Sequence, residues 1–187
     1  MATAAARTGV YPGTFDPATV AHLHVAATAR EQCGLVRVDL TISEVTLGKD
    51  DGALTPIGRR IDDLSALRDG RPWLGVRTTA ASLLADIAEG YDVLVVGADK
   101  WHQLIDPEWY GSMAERDRAL ARLPLVAVAA RPPWPLPTGA GDVPASLEVV
   151  VLHTDPAHHD VSATAVRAGR DEWRAPRHPN PRPSPFT

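Results

Sequence analysis

Short apolar runs and amphipathic stretches alternate along the whole of this chain. "TGVYPG" (8–13) predicts a first strand. In the helix predicted next, Leu23, Ala26 and Ala27 recur at helical spacing, Arg30 and Glu31 face solvent, and Gly34 marks the stop. "VRVDLTI" (36–42) alternates Val36, Val38, Leu40 and Ile42, the period of a strand. Thr55-Pro56 supplies an N-cap and first-turn proline for a helix carrying Ile57, Ile61 and Leu64 on one face and ending at Gly70. Then come a strand around "WLGVR" (73–77), an Ala/Leu-rich helix "TAASLLADIAEG" (79–90) and a strand "DVLVVG" (92–97). A polar helix "SMAERDRALAR" (112–122), a strand "PLVAVAA" (124–130), a Pro/Gly-rich loop from Pro132 to Pro144 and a strand "LEVVVL" (147–152) complete the alternation. One short helix begins near Ser162.

Several of these apolar runs lack polar alternation, which predicts a parallel sheet covered on both faces: an α/β, Rossmann-like doubly wound fold in a single domain. The domain is expected over residues 1–172, with 173–187 an unstructured proline-rich tail. In such sheets ligands bind beyond the carboxyl ends of the strands. The residues there are Gly13 to Asp16, Ser43 to Lys49, Gly97 to Trp101, Arg131, and Asp160 to Arg167. Most are types that handle phosphate and ribose.

Composition narrows the picture. With 44% hydrophobic and 22% charged residues over 187 positions, the chain is of ordinary globular type. A net charge of −4 argues against nucleic acid or an anionic membrane as partner. Cys33, the lone cysteine, excludes an intrachain disulfide, and no apolar run has the length of a signal sequence or membrane span, so a cytoplasmic location is expected. Lys49 and Lys100 are the only lysines in this arginine-rich chain, and a compact point charge suits phosphate.

Two strand-to-helix turns carry the candidate chemistry. In "YPGTFDPATVAH" (11–22), Gly13-Thr14 offers either close backbone approach to an anion or a plain tight turn. If Thr19 caps the helix, His22 falls in its first turn, where free N–H groups and the helix dipole favour negative charge. His24 lies on nearly the opposite side, in register with Thr28 and Glu31, and is expected in solvent. In "DVSATAVRAG" (160–169), Ser162 is a plausible N-cap, with Thr164 and Arg167 completing an anion site; the alternative is simple capping, with Arg167 in solvent. His153, His158 and His159, with Asp155 and Asp160, fit no helical metal-ligand pair and read as loop residues, so no metal site is predicted.

These stretches resemble a known family. "GTFDPATVAH" is similar to the (H/T)xGH signature of the nucleotidylyltransferase superfamily, and "VSATAVR" to its second signature, commonly I-S-S-T-x-I-R. "VVGADKW" and "AARPP" resemble segments of the nicotinate/nicotinamide-mononucleotide adenylyltransferases. The likeness spans most of Thr8 to Gly169. It implies AMP transfer from ATP to a mononucleotide 5′-phosphate with release of pyrophosphate, Mg²⁺ arriving on the ATP. By the same resemblance Thr19, His22, Lys49 and Arg167 act at the phosphates, and Gly13, Thr14, Phe15, Gly97, Asp99, Ser162 and Thr164 line the nucleotide site. Trp109, or in competition Trp101, would stack on the acceptor's pyridine ring. Two positions depart from the pattern: Thr19 stands where the nicotinate enzymes usually have histidine, and Ala21 replaces the signature glycine. The alternatives are another phosphate acceptor (phosphopantetheine-like, or one used with CTP) and a non-catalytic nucleotide-binding homologue.

Overall fold

The computed structural model describes residues 6–45, 54–139 and 142–177. Six parallel strands form one sheet in the order β3-β2-β1-β4-β5-β6. These are β1 (Thr8–Pro12), β2 (Arg37–Ser43), β3 (Leu74–Thr79), β4 (Val93–Gly97), β5 (Leu125–Ala129) and β6 (Val149–Val151). The order reverses between β1 and β4, which opens a crevice beyond their carboxyl ends.

Burial along the strands shows the two layers. Val38, Leu40, Val93, Val95 and Ala127 pack toward helices α1 (Val20–Gln32) and α2 (Ile57–Ala66). Val10, Leu94, Val96, Val126 and Val128 pack the opposite way, toward α3 (Leu84–Ile87), α4 (Ala98–Ile105) and α5 (Met113–Leu120). Central β4 is therefore apolar at every position from Val93 to Val96, whereas β2, buried from Val38 to Ile42, carries the polar Asp39 and Thr41 on its second face. There Asp39, 3% exposed, takes bonds from Arg37 Nε at 2.6 Å and the Tyr91 hydroxyl at 2.8 Å, with Arg77 Nε at 3.2 Å.

The structure departs from the sequence reading in several elements. The helix predicted over 79–90 shrinks to Leu84–Ile87. Its first half is held as a connection, with Ala81 N–H donating to Thr79 Oγ1 and the Ser43 hydroxyl donating to Ala81 O. Helix α4 was not predicted, although Ala98, Trp101 and Leu104 form its buried stripe. At α2 the N-cap position is Pro56 rather than Thr55, and Thr55 N–H donates to Asp16 Oδ2 at 3.0 Å. At the other end, Trp173–Arg177 is not a loose tail. Ala175 is buried and its N–H donates to Ala18 O at 3.0 Å, Arg174 bridges Thr19, and Arg71 donates to the carbonyls of Pro176 and Arg177. The packed domain thus runs at least to Arg177.

No helix among the described residues is long and apolar enough to cross a membrane.

Candidate active site

A cavity of about 610 Å³ lies at the carboxyl ends of the strands and brings together the turn after β1, the start of α4 and the start of α6 (Ala163–Arg167). Its size suits a nucleotide-scale ligand.

Helix α1 begins on a reciprocal cap. Thr19 Oγ1 accepts the His22 backbone N–H at 3.4 Å, and Thr19 N–H donates to His22 Nδ1 at 3.0 Å. Because Nδ1 accepts, the proton of the neutral ring sits on Nε2. Burial, together with the Arg131 guanidinium, pushes the His22 pKa down to about 4. His22 therefore lines the cavity as a neutral hydrogen-bond donor, not as a cation. Thr19 is 1% exposed and its hydroxyl is spent on this cap, so it acts on the cavity through His22.

The turn before the helix is held tightly. Phe15 adopts φ +47°, a conformation that costs on the order of 1 kcal/mol for a non-glycine residue. Its ring sits edge-on to Tyr11 at 5.6 Å and to His22 at 5.0 Å. Gly13 makes room for that ring: a Cβ there would lie 2.8 Å from Phe15 Cζ. Its N–H is committed to Thr41 O at 3.0 Å, and Gly13 and Thr14 both line the cavity. Asp16, 4% exposed, is the brace of the turn. Burial raises its pKa, but the Thr55 hydrogen bonds and the charges of Arg167 and Arg60 outweigh that and hold the carboxyl below its ordinary value.

At the second helix start, Ser162 Oγ accepts Ala165 N–H at 3.1 Å, the capping role, and does not line the cavity. Thr164 and Arg167 do. Arg167 Nη2 donates to Thr164 Oγ1 at 3.2 Å and Nη1 to Asp16 O, tying α6 to the first turn. Asp99 lies in the first turn of α4, folded close over Gly97, where a Cβ would come within 2.6 Å of Asp99 Oδ1. Asp99 is the only carboxylate among the described residues lining the cavity, and no cluster of three His, Cys, Asp or Glu placed for a metal occurs among them.

The two tryptophans separate cleanly. Trp109 is 44% exposed and lines the cavity beside Tyr110, whereas Trp101 is 1% exposed on the inward stripe of α4 and takes no part in it. Lys49 lies outside the described residues. His24 does not face solvent as expected. It lines the cavity half-buried, because the segment after β6 returns over α1: Asp155 N–H donates to His24 Nε2 at 2.9 Å, and the His158 ring lies 4.4 Å away. Sequence reasoning also missed Arg60, 7% exposed, which donates to Thr55 O at 2.8 Å and to Thr14 O at 3.0 Å. Its signal was present as an arginine inside the apolar stripe Ile57, Ile61, Leu64.

Residues 10–169 match the family model described as Cytidylyltransferase-like. A probable nicotinate-nucleotide adenylyltransferase of Thermomicrobium roseum is 30% identical over 190 residues, covering 94% of this chain and 85% of that protein. A protein of the same description from Methylorubrum extorquens (strain PA1) is 39% identical over 61 residues. That match spans 33% of this chain and about a third, 33%, of that relative's length. Among solved structures, Plasmodium falciparum nicotinic acid mononucleotide adenylyltransferase complexed with APC superposes with a TM-score of 0.60 at 11% identity, over 87% of this chain and 83% of that one. At that identity the likeness is one of fold.

Proposed function

The chain belongs to the cytidylyltransferase-like family and is a nucleotidyltransferase, and on that premise we propose that it moves AMP from ATP to the 5′-phosphate of nicotinate or nicotinamide mononucleotide. An acceptor phosphate oxygen attacks the α-phosphorus, the bond to the α–β bridging oxygen breaks, and pyrophosphate leaves. The observation that carries this reading is the meeting, in one cavity, of a neutral His22 donor, the Thr164–Arg167 pair, the Asp99 carboxylate and the exposed Trp109 ring.

Each group has a task in an in-line transfer that needs positioning and charge stabilisation more than covalent help. Nε2–H of His22 donates to an oxygen that gains charge in the transition state, and its low pKa means that the ring meets the substrate neutral, as a hydrogen-bond donor and not as a cation. Arg167, held by Thr164 and by the carbonyl of Asp16, presents a fixed cation to the leaving phosphates. Asp99 accepts from ribose hydroxyls, and Trp109 offers a flat face to the acceptor's ring. With Asp99 as the only carboxylate lining the cavity among the described residues, the donor set fits a magnesium ion held mainly by phosphates and water. When bound, it would neutralise phosphate charge.

A second reading, a different nucleotide or acceptor, is favoured by Ala21, which lines the cavity where its methyl narrows the space. The test is pyrophosphate release from ATP and CTP across nicotinate mononucleotide, nicotinamide mononucleotide and 4′-phosphopantetheine. Turnover with ATP and a pyridine mononucleotide is expected. Turnover only with CTP or phosphopantetheine, or none with any pair, overturns the proposal.

A further inference from the structure

The cavity has two walls, on opposite faces of the sheet. Asp99, Lys100, Trp109 and Tyr110 belong to the α4 side; His24, Thr154, His158 and His159 belong to the side made by α1 and the segment after β6. The first wall takes the acceptor in the reading above. The second has no task in it.

That second wall is built and held. His24 and His158 lie ring against ring, with centroids 4.4 Å apart and planes tilted by 35°. His24 is anchored through Nε2 to the Asp155 N–H. Gln32, two turns along α1, grips the same segment from both sides, accepting His153 N–H at 3.1 Å and donating to His153 O at 3.4 Å. His159 Nε2 and Thr154 Oγ1 meet at 3.3 Å. Burial, and then the neighbouring His158, lower the His24 pKa, so the ring stays uncharged at neutral pH. A pair of imidazole rings, half-buried, facing the cavity and fixed by backbone bonds, offers a flat surface suited to a heterocycle.

We infer that the ring pair His24–His158 is the platform on which the nucleobase of the nucleotide donor stacks. The inference rests on the reading of the cavity as a nucleotidyl-transfer site. The base lies at one end and the acceptor ring at the Trp109 end, with the phosphates between them at His22 and Arg167. The staple from Gln32 and Asp155 fixes the rings before the ligand arrives, so little ordering is left for binding to oppose.

The test uses His158→Ala, which leaves the His24–Asp155 bond intact, and His158→Phe, which keeps a ring. Calorimetric titrations with ATP and with tripolyphosphate separate the base from the phosphates. Loss of one stacking partner is expected to weaken ATP binding about tenfold, leave tripolyphosphate binding and the acceptor KM as they were, and be reversed in His158→Phe. Equal weakening of ATP and tripolyphosphate overturns the inference. So does a variant that melts earlier but binds ATP as wild type does, because that is a staple and nothing more. If the wild-type protein binds ATP no better than tripolyphosphate, the nucleotide reading falls together with the platform. If it binds ATP but releases no pyrophosphate with pyridine mononucleotides, only the acceptor assignment falls.

Discussion

Burial and the Arg131 guanidinium hold His22 neutral down to about pH 4, which fixes both its chemistry and its signature in stability. Below pH 6.5 the unfolded chain takes up a proton that the folded ring refuses. The contribution of His22 to stability is therefore complete above pH 6.5 and is lost as the pH falls toward 4. Nitrogen NMR of the ring should show it neutral, protonated on Nε2, throughout pH 8 to 5; titration near 6.5 would contradict the site's geometry. His22→Ala is expected to lower turnover roughly a hundredfold, the effect of losing one donor to developing charge. Ala21, 8% exposed in the same helical turn, tests the fit of the nucleotide. Ala21→Gly should tighten ATP binding by about 1 kcal/mol if the methyl crowds the site, partly offset by the added backbone freedom of glycine near a helix start. No gain with ATP, alongside CTP binding by the parent protein, would favour the second reading. His22 was legible in the sequence because its place depends only on a cap three residues away. His24 was not, because the backbone that covers it is 131 residues distant in the chain.

At the scale of elements, the cap of α1 is itself held by the C-terminal segment. Arg174 and Ala175 pair with Thr19 and Ala18, and Arg71 clamps that segment through the carbonyls of Leu67, Pro176 and Arg177. Arg177 adds a bridge to Asp63 at 3.4 Å. Arg71 is 9% exposed, so Arg71→Met keeps much of the stem and removes the guanidinium bonds. Unfolding free energy should fall by about 2 kcal/mol, in the range for hydrogen bonds to a buried charged group. Turnover should fall less than in His22→Ala, since Thr19 and His22 keep their reciprocal bonds. Denaturant titration and steady-state rates measure the two effects. Helix starts announced by a cap were legible, α1 with Thr19 and α6 with Ser162, but the buried face of α1 is Ala21, Val25, Ala26, Thr28 and Ala29, not the predicted Leu23, Ala26 and Ala27. The shortened α3 was not, because bonds to Thr79 and from Ser43 override the helix preference of "TAASLLADIAEG". The docked segment after Trp173 was not either. Its proline-rich composition resembles a linker, and what holds it is an arginine about a hundred residues earlier.

On the scale of the molecule, the doubly wound sheet was legible from the unbroken apolar run of β4, whereas the alternation of β2 hid that its second face is buried too, with Asp39 and Thr41 on it. The division of the cavity into two walls was not, because it depends on which face each crossover takes and on the return of the β6 exit over α1. On the proposed reaction, the division has a consequence for the dinucleotide product, which would carry a base at each end. His158 and Trp109 line the cavity from different elements, and in the proposed pose the phosphate groups lie between them. Losses at sites that share no partners add to within about 0.5 kcal/mol. Trp109→Ala should therefore raise the acceptor KM and leave that for ATP, and His158→Ala should do the reverse. In the double variant the loss of affinity for the dinucleotide, measured by calorimetry, should equal the sum of the two single losses. A clear shortfall from that sum would mean that both rings touch one end of the ligand, and the two-walled cavity would then be a single binding face.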